Sequence, residues 1–328
     1  MRSFGRRQFL AASGALLTAP LARAQRSGQP YVVGTLFPAV VRDLYGPVLV
    51  ERLAKHGFIE GRNLRVERGL VNSMGPGSGR QATQQLLTRK VDAIFSCSDF
   101  TTEGASWATK SVPIVFTWVS DPVRLDLVAS LARPGGNITG VTNRFTELSA
   151  KRFELALELV PQAKRIALFG VDYWPHYAEA VRPQLLEVAR RSNLEVLELN
   201  WSRERDAMAK AHEAGADVVV TSTNQMLFGF RSVVEDWIKS SIDRRLPVVF
   251  AGREEVEAGG LISYATNSKD DIRRAADLLA RVLKGEKPGE LPVDQGSRFE
   301  LVVSLKTANA LGLTFPPSIL LRADRVIE

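Results

Sequence analysis

From Tyr31 onward the chain alternates short β-type runs with amphipathic helical stretches. That alternation leaves little choice of architecture beyond parallel sheets covered by helices on both faces, so the fold class is α/β. Tyr31–Leu36 reads as the first strand, and Val41, Leu44, Tyr45, Val48, Leu49 and Leu53 then recur at helical spacing until Gly57. Strands follow at Leu64–Leu70, Val91–Phe95, Ile114–Trp118 and Ile138–Thr142, separated by helices carrying Leu86 and Leu87 and spanning about Thr102–Thr109. After Thr146 the alternation starts again. Strands are expected at Arg165–Phe169, Leu194–Leu199, Asp217–Thr221, Pro247–Phe250 and Leu261–Tyr264. Helices are expected around Phe153–Leu159, Tyr177–Arg191, Ala207–Ala214 and Phe228–Ser240, with Pro183 kinking the second of these or delaying its start.

The tail then departs from a plain two-domain cut. Ser268–Leu283 is strongly amphipathic, with Ile272, Ala276, Leu279 and Leu283 on one face. Ser268 with Asp271 resembles a capping box, and Lys284-Gly285 provides a C-terminal stop. A strand at Phe299–Val303, a short helix at Lys306–Leu311 and a closing segment after Pro316-Pro317 leave enough elements for the chain to cross between halves again.

The first residues read as an export leader. Arg6-Arg7 precede Gln8-Phe9-Leu10, a mostly apolar run reaches Leu21, and Ala22-Arg23-Ala24 supplies a small-x-small ending. Paired arginines point to the twin-arginine route, with cleavage before Gln25 and a periplasmic destination. The apolar run is shorter than the ~20 residues that span a bilayer, and it contains Gly14 and Pro20. Four arginines leave with the leader, so 43 basic residues become 39 against 36 acidic ones, and the charge falls from +7 to +3. With acidic and basic residues interspersed, no nucleic-acid partner is indicated. Cys97 is the only cysteine, which excludes an intrachain disulfide and a thiolate metal cluster. No second apolar run approaches spanning length, so the mature chain is expected to be soluble unless a partner holds it.

Three stretches carry a family resemblance. They are Ser120-Asp121-Pro122-Val123 continuing to Leu131-Ala132-Arg133-Pro134-Gly135-Gly136-Asn137-Ile138-Thr139-Gly140; Gly252-Arg253-Glu254-Glu255 with Glu257-Ala258-Gly259-Gly260-Leu261-Ile262-Ser263-Tyr264; and Phe299-Glu300-Leu301-Val302-Val303-Ser304-Leu305-Lys306-Thr307-Ala308. The closing Pro316-Pro317-Ser318 and Leu321-Arg322-Ala323-Asp324-Arg325-Val326-Ile327-Glu328 fit as well. In these the chain resembles the substrate-binding proteins of ABC transporters, in the branch whose better-known members bind aromatic amino acids. The resemblance implies a type I periplasmic binding fold: two doubly wound parallel-sheet lobes joined by a hinge and closing on a small molecule. It also implies a non-enzymatic protein without a cofactor, partnered by an ABC permease in the inner membrane and acting as a monomer. The expected division is a leader at 1–24, an N-terminal lobe of 25–143 plus about 267–288, and a C-terminal lobe of 144–266 plus about 289–328. Relatives with an Asn-Pro pair after the first strand of the second lobe differ here, where the chain reads Val171-Asp172-Tyr173.

In open α/β sheets ligands bind beyond the carboxyl ends of strands, where loops and helix N-termini converge. The candidates in those loops are Phe37, Ser96, Ser98, Thr101, Trp118, Asp121 and Asn143 in the first lobe, and Tyr173, Asn224, Arg253 and Tyr264 in the second. Hydroxyls and free amides suit a carboxylate, an acidic side chain suits an ammonium, and aromatic faces suit a flat ligand body. The set is amino-acid-like. Each residue also has a plain structural use: Asp121-Pro122 as a turn, the aromatics as packing, and Arg253 with Glu254 as a mutual pair or a hinge crossing.

Two other classes and one variant compete. An exported NAD(P)-dependent oxidoreductase is suggested by Gly75-Pro76-Gly77-Ser78-Gly79, but this stretch follows the second strand, and Arg80 stands where the third glycine is required. A hydrolase lacks its Gly-x-Ser-x-Gly elbow, and His56, His176 and His212 lie in or beside helices. A ligand-loaded partner of a membrane sensor shares every feature of a transport protein, and neighbouring genes would separate the two.

Overall fold

A computed structural model describes residues 29–328 apart from 72, 74, 171–174, 201–205, 223–230 and 297–298. Residues 1–24, the expected leader, therefore lie outside the described residues. Five strands, β1 (Tyr31–Leu36), β2 (Leu64–Arg68), β3 (Ala93–Cys97), β4 (Ile114–Val119) and β5 (Ile138–Thr142), form one wholly parallel sheet in the order β2-β1-β3-β4-β5. Helices α1 (Ala39–Lys55), α2 (Pro76–Thr88) and α3 (Asp99–Ala108) connect the first four, and a loop without a helix joins β4 to β5. Strands β3 and β4 are buried along their whole length. Both faces are covered, so the uninterrupted apolar runs are a requirement of burial.

The second sheet repeats the plan. After α4 (Phe145–Leu159) come β6 (Arg165–Phe169), α5 (Pro175–Arg191), β7 (Glu195–Leu199), α6 (Ala207–Glu213), β8 (Val218–Thr221), α7 (Arg231–Asp243), β9 (Val248–Phe250), α8 (Arg253–Glu257) and β10 (Ile262–Thr266). With β11 (Phe299–Ser304) and β12 (Arg325–Ile327) they are ordered β12-β11-β10-β9-β8-β6-β7. Strands β6 to β10 run parallel to one another, and β11, antiparallel to β10, runs with β12 in the opposite direction. Helix α5 runs through Pro183, which is exposed, and begins at Pro175, a first-turn position where proline loses no hydrogen bond.

Three crossings tie the sheets together. Between β5 and α4 the chain passes from the first sheet to the second, since Phe153, Leu155, Ala156 and Leu159 lie in a core with Ile166, Leu168, Val218 and Val220. After β10 it returns as α9 (Ser268–Leu283), whose Ile272, Ala276, Leu279 and Leu283 share a core with Val33, Phe95 and Val115. A single 3-10 turn, Pro288–Glu290, follows, and Leu291 and Val293 are still buried in the two cores of the first sheet. Asp294 bridges Val141, so the last crossing comes after residue 294 and not near 289. Helices α10 (Leu305–Leu311) and α11 (Pro317–Arg322) then complete the second unit. Asn267, and not Ser268, caps α9, its side chain accepting the Lys269 and Asp270 amides at 3.1 Å each. Asp271 instead accepts the Thr266 hydroxyl at 2.7 Å.

Gly75 and Pro76 open α2. A Cβ on Gly79 would stand 2.9 Å from the Thr101 Cα, and one on Gly104 only 2.3 Å from the Pro76 carbonyl oxygen. These glycines let α2 and α3 meet backbone to backbone, a packing use unrelated to a phosphate cradle. Among the described residues no helix is long and apolar enough to cross a membrane, and no cluster of His, Cys, Asp and Glu could hold a metal ion.

Candidate functional site

Both sheets place their first three strands in the same order, so each reverses direction of winding beside its first strand, between β1 and β3 and between β6 and β8. Crevices form beyond the carboxyl ends of strands at such points. In the first unit these ends carry strained backbone. Ser98 after β3 (φ 104°), Trp118 near the end of β4 (φ 57°) and Arg144 after β5 (φ 50°) all have positive φ without being glycine. Three adjacent strands ending this way mark a place where side chains are aimed at a cost, as at ligand sites.

The hydroxyls expected to meet ligand are engaged with one another. Ser96 Oγ donates to Thr101 Oγ1 at 2.9 Å and accepts from Thr102 Oγ1 at 3.0 Å, while Thr101 donates to the Cys97 carbonyl at 2.7 Å. Ser98 Oγ lies 3.1 Å from Thr101 Oγ1, and all four residues are buried. Their effect is to seat the first turn of α3. Asp99, the first residue of that helix, accepts the Ser120 amide at 2.7 Å and its hydroxyl at 2.9 Å, stitching the loop after β3 to the loop after β4. Burial pushes its carboxyl up to about 6, with the charges of Glu103 and Asp121 adding to the shift and the Ser120 bonds opposing it. Asp121 is half-buried, and its Oδ1 accepts the amides of Val123 (3.2 Å) and Arg124 (3.0 Å). This is a turn closure that leaves Oδ2 without a hydrogen bond to any described residue.

The aromatic candidates divide. Phe37 is core, its ring 5.6 Å from that of Phe95, and it borders a groove of about 530 Å³ lined by first-unit residues of α1, β1 and β2. Tyr264 lies inside β10 and stacks at 5.8 Å on Phe299 in β11, away from the strand ends. Trp118 packs edge to face on Tyr45 at 5.0 Å. Asn143 is fully buried at the first crossing, its backbone N–H donating to the Val119 carbonyl at 3.3 Å. Arg253 pairs with Glu257 at 2.8 Å and Glu300 at 3.5 Å, which makes it a brace between α8 and the returning strand. Tyr173 and Asn224, beyond the ends of β6 and β8, lie outside the described residues.

Sequence reasoning missed the contact that joins the two units at this level. Tyr45 of α1, fully buried, donates its hydroxyl to Glu254 Oε1 of α8 at 2.7 Å, and burial with that carboxylate holds the phenol well above its usual range. A tyrosine in an apolar helical stripe was the available signal, because its buried hydroxyl requires a partner. Arg124, after β4, also meets a residue of the second unit, Glu179 of α5, at 3.0 Å, both exposed. A pocket of about 160 Å³ between the units is lined by Tyr45, Arg253, Glu254, Asn267 and Ser268 among others. His56 meets Asp277 at 2.6 Å at the end of α1, a packing role.

Two doubly wound units of like topology, joined by three crossings, define a two-lobed binding protein of the type I periplasmic class. Residues 47–327 match the model of the ABC transporter substrate binding protein family, and the chain belongs to that family. A curated relative, the "Tyrosine-binding protein" of Clostridioides difficile, is 26% identical over 268 residues, 80% of this chain and 75% of its own. Among solved structures, a conserved domain protein from Vibrio cholerae is 26% identical with a TM-score of 0.77, covering 91% of this chain and 99% of its own. A Streptococcus ABC domain in complex with L-Trp is 24% identical with a TM-score of 0.78, covering 91% and 100%.

Proposed function

We propose that this chain is the periplasmic solute-binding component of an ABC importer, holding one amino acid, aromatic ones first, between its lobes. The observation that carries the reading is the family match over residues 47–327, together with a relative of like length whose description is tyrosine-binding. The lobes are taken as 25–143 with 267–294, and 144–266 with the remainder of the tail, closing about the crossings as a hinge. In the cleft the Asp121 carboxylate faces the ligand ammonium, and the ends of β3, β4 and β5 with Ser98, Trp118 and Asn143 line its carboxylate side. Tyr173 and Asn224 are assigned to the ligand from the second lobe, and Arg253 acts from the hinge. Export by the twin-arginine leader, delivery to an inner-membrane permease, a monomeric state and saturable binding without turnover belong to the same reading.

A thermal-shift screen of the mature protein against amino acids and small carboxylates tests it. Ligand present at one hundred times its dissociation constant adds roughly 2.7 kcal/mol of stability, so one chemical class should raise the melting temperature clearly. Conversion of any hit to product by the purified protein would contradict the non-enzymatic reading.

A further inference from the structure

Trp118 holds a conformation that a large side chain adopts only at a cost. Its φ is 57°, and the β4–β5 register shifts between Thr117 and Val119, so Trp118 is the extra residue of a bulge. The ring is sent into the α1 side of the sheet, in one core with Val115 and Cys97, and is 7% exposed. There its Nε1–H has no hydrogen-bond partner among the described residues, and neither has the adjacent Thr117 Oγ1. Folded proteins rarely leave buried donors unmade, and a strained backbone that delivers one to the end of a strand needs a use for it. Tyr45 presses its ring edge-on against the indole at 5.0 Å and is itself tied to Glu254 of the other lobe.

We infer that the Trp118 indole N–H donates to an acceptor oxygen of the cleft ligand, a carboxylate in the amino-acid case, with Tyr45 as the residue that positions the indole. The inference rests on the amino-acid reading of the cleft. Because the Tyr45 hydroxyl is anchored on the second lobe, the indole has its full support only when the lobes are together. Ligand contact and lobe closure then reinforce each other through one ring pair. Thr117 Oγ1, on the preceding residue and also without a hydrogen-bond partner among the described residues, is a second donor available to the same oxygen.

The test titrates the mature wild type, Trp118→Phe and Tyr45→Phe with the proteinogenic amino acids, acetate and succinate by calorimetry. The Trp118 indole ¹H–¹⁵N resonance of the wild type, assigned by its loss in Trp118→Phe, is followed in parallel. The best-binding probe should lose at least about tenfold in affinity in Trp118→Phe, equivalent to about 1.4 kcal/mol, with the empty protein still melting cooperatively well above the titration temperature. It should lose a smaller factor, about threefold, in Tyr45→Phe, through faster dissociation. The wild-type indole proton should move downfield on binding. Equal affinity in Trp118→Phe with an unmoved indole resonance would overturn the inference and leave the amino-acid reading standing. If Trp118→Phe does not fold, the wild-type indole resonance decides alone: a downfield shift supports the inference and no shift overturns it. A wild type that binds none of these probes would overturn both readings.

Discussion

Asp271 is 3% exposed, and burial pushes its carboxyl up to about 7, the Thr266 hydroxyl and Arg274 opposing the shift, Asp270 and Asp294 adding to it. A carboxyl whose folded pKa is raised favours the folded state most below its unfolded value, and that contribution is lost as pH climbs through the folded pKa. Asp271 therefore costs the fold stability between about pH 4 and pH 7, and Asp99 does the same up to about 6. Asp271→Asn should be more stable than wild type at pH 7.5 by a margin that shrinks toward pH 4, read from urea midpoints at several pH values. A margin independent of pH would show that the buried proton is not the cause. Asp121 is tested by its own amide: Asp121→Asn retains the turn-closing oxygen and loses the charge, so affinity for an amino acid should fall at least about tenfold, or 1.4 kcal/mol, with the empty protein's stability little changed. Affinity equal to wild type would make Asp121 a turn residue only. At this scale the sequence shows which residue types stand at the strand ends, but not which are used up locally. The hydroxyls of Ser96, Ser98 and Thr101 look like ligand donors, and they bond each other because a turn of α3 brings them together.

The contact of α2 with α3 depends on two small residues. Gly104→Ala would set a methyl 2.3 Å from the Pro76 carbonyl oxygen and 2.4 Å from the Arg80 amide, both backbone, so the helices must separate. Overpacking of this kind typically costs about 1–3 kcal/mol, which should appear in denaturant midpoints of the empty protein. A cost under about 0.5 kcal/mol, the scale of an ordinary surface change, would refute close packing at this point. Elements were legible wherever burial imposed a pattern. Tyr31–Leu36, Ile138–Thr142, Arg165–Phe169 and Ser268–Leu283 have the bounds read from sequence. Helix α8, five residues long, has no periodicity to read and is held by the Glu255 carboxylate accepting the Gly252 amide at 2.9 Å. The cap of α9 lies one residue before the one the sequence suggests, because Asn267 and Ser268 are both good caps and only backbone geometry chooses Asn267.

Two lobes, with a tail returning to the first and ending in the second, were readable from the repeated alternation and the apolar face of Ser268–Leu283. Strand order was not, because pairing is set by contacts distant in sequence. Nor could sequence show that Tyr45 and Glu254, 209 positions apart, would join the lobes. The leader makes a separate prediction at this scale: with Arg6 and Arg7 both changed to Lys, transport through the twin-arginine machinery should fall sharply, measured as the mature protein recovered from the periplasm. Undiminished recovery through that machinery would refute the route. The central claim, that the lobes hold one amino acid, meets its most direct test in calorimetric titration of the mature protein with L-tyrosine and L-tryptophan. Saturable binding of one ligand per chain with a negative heat-capacity change is the expected result, as apolar surface is buried in the cleft. No heat from either of these, nor from any other amino acid, would contradict it.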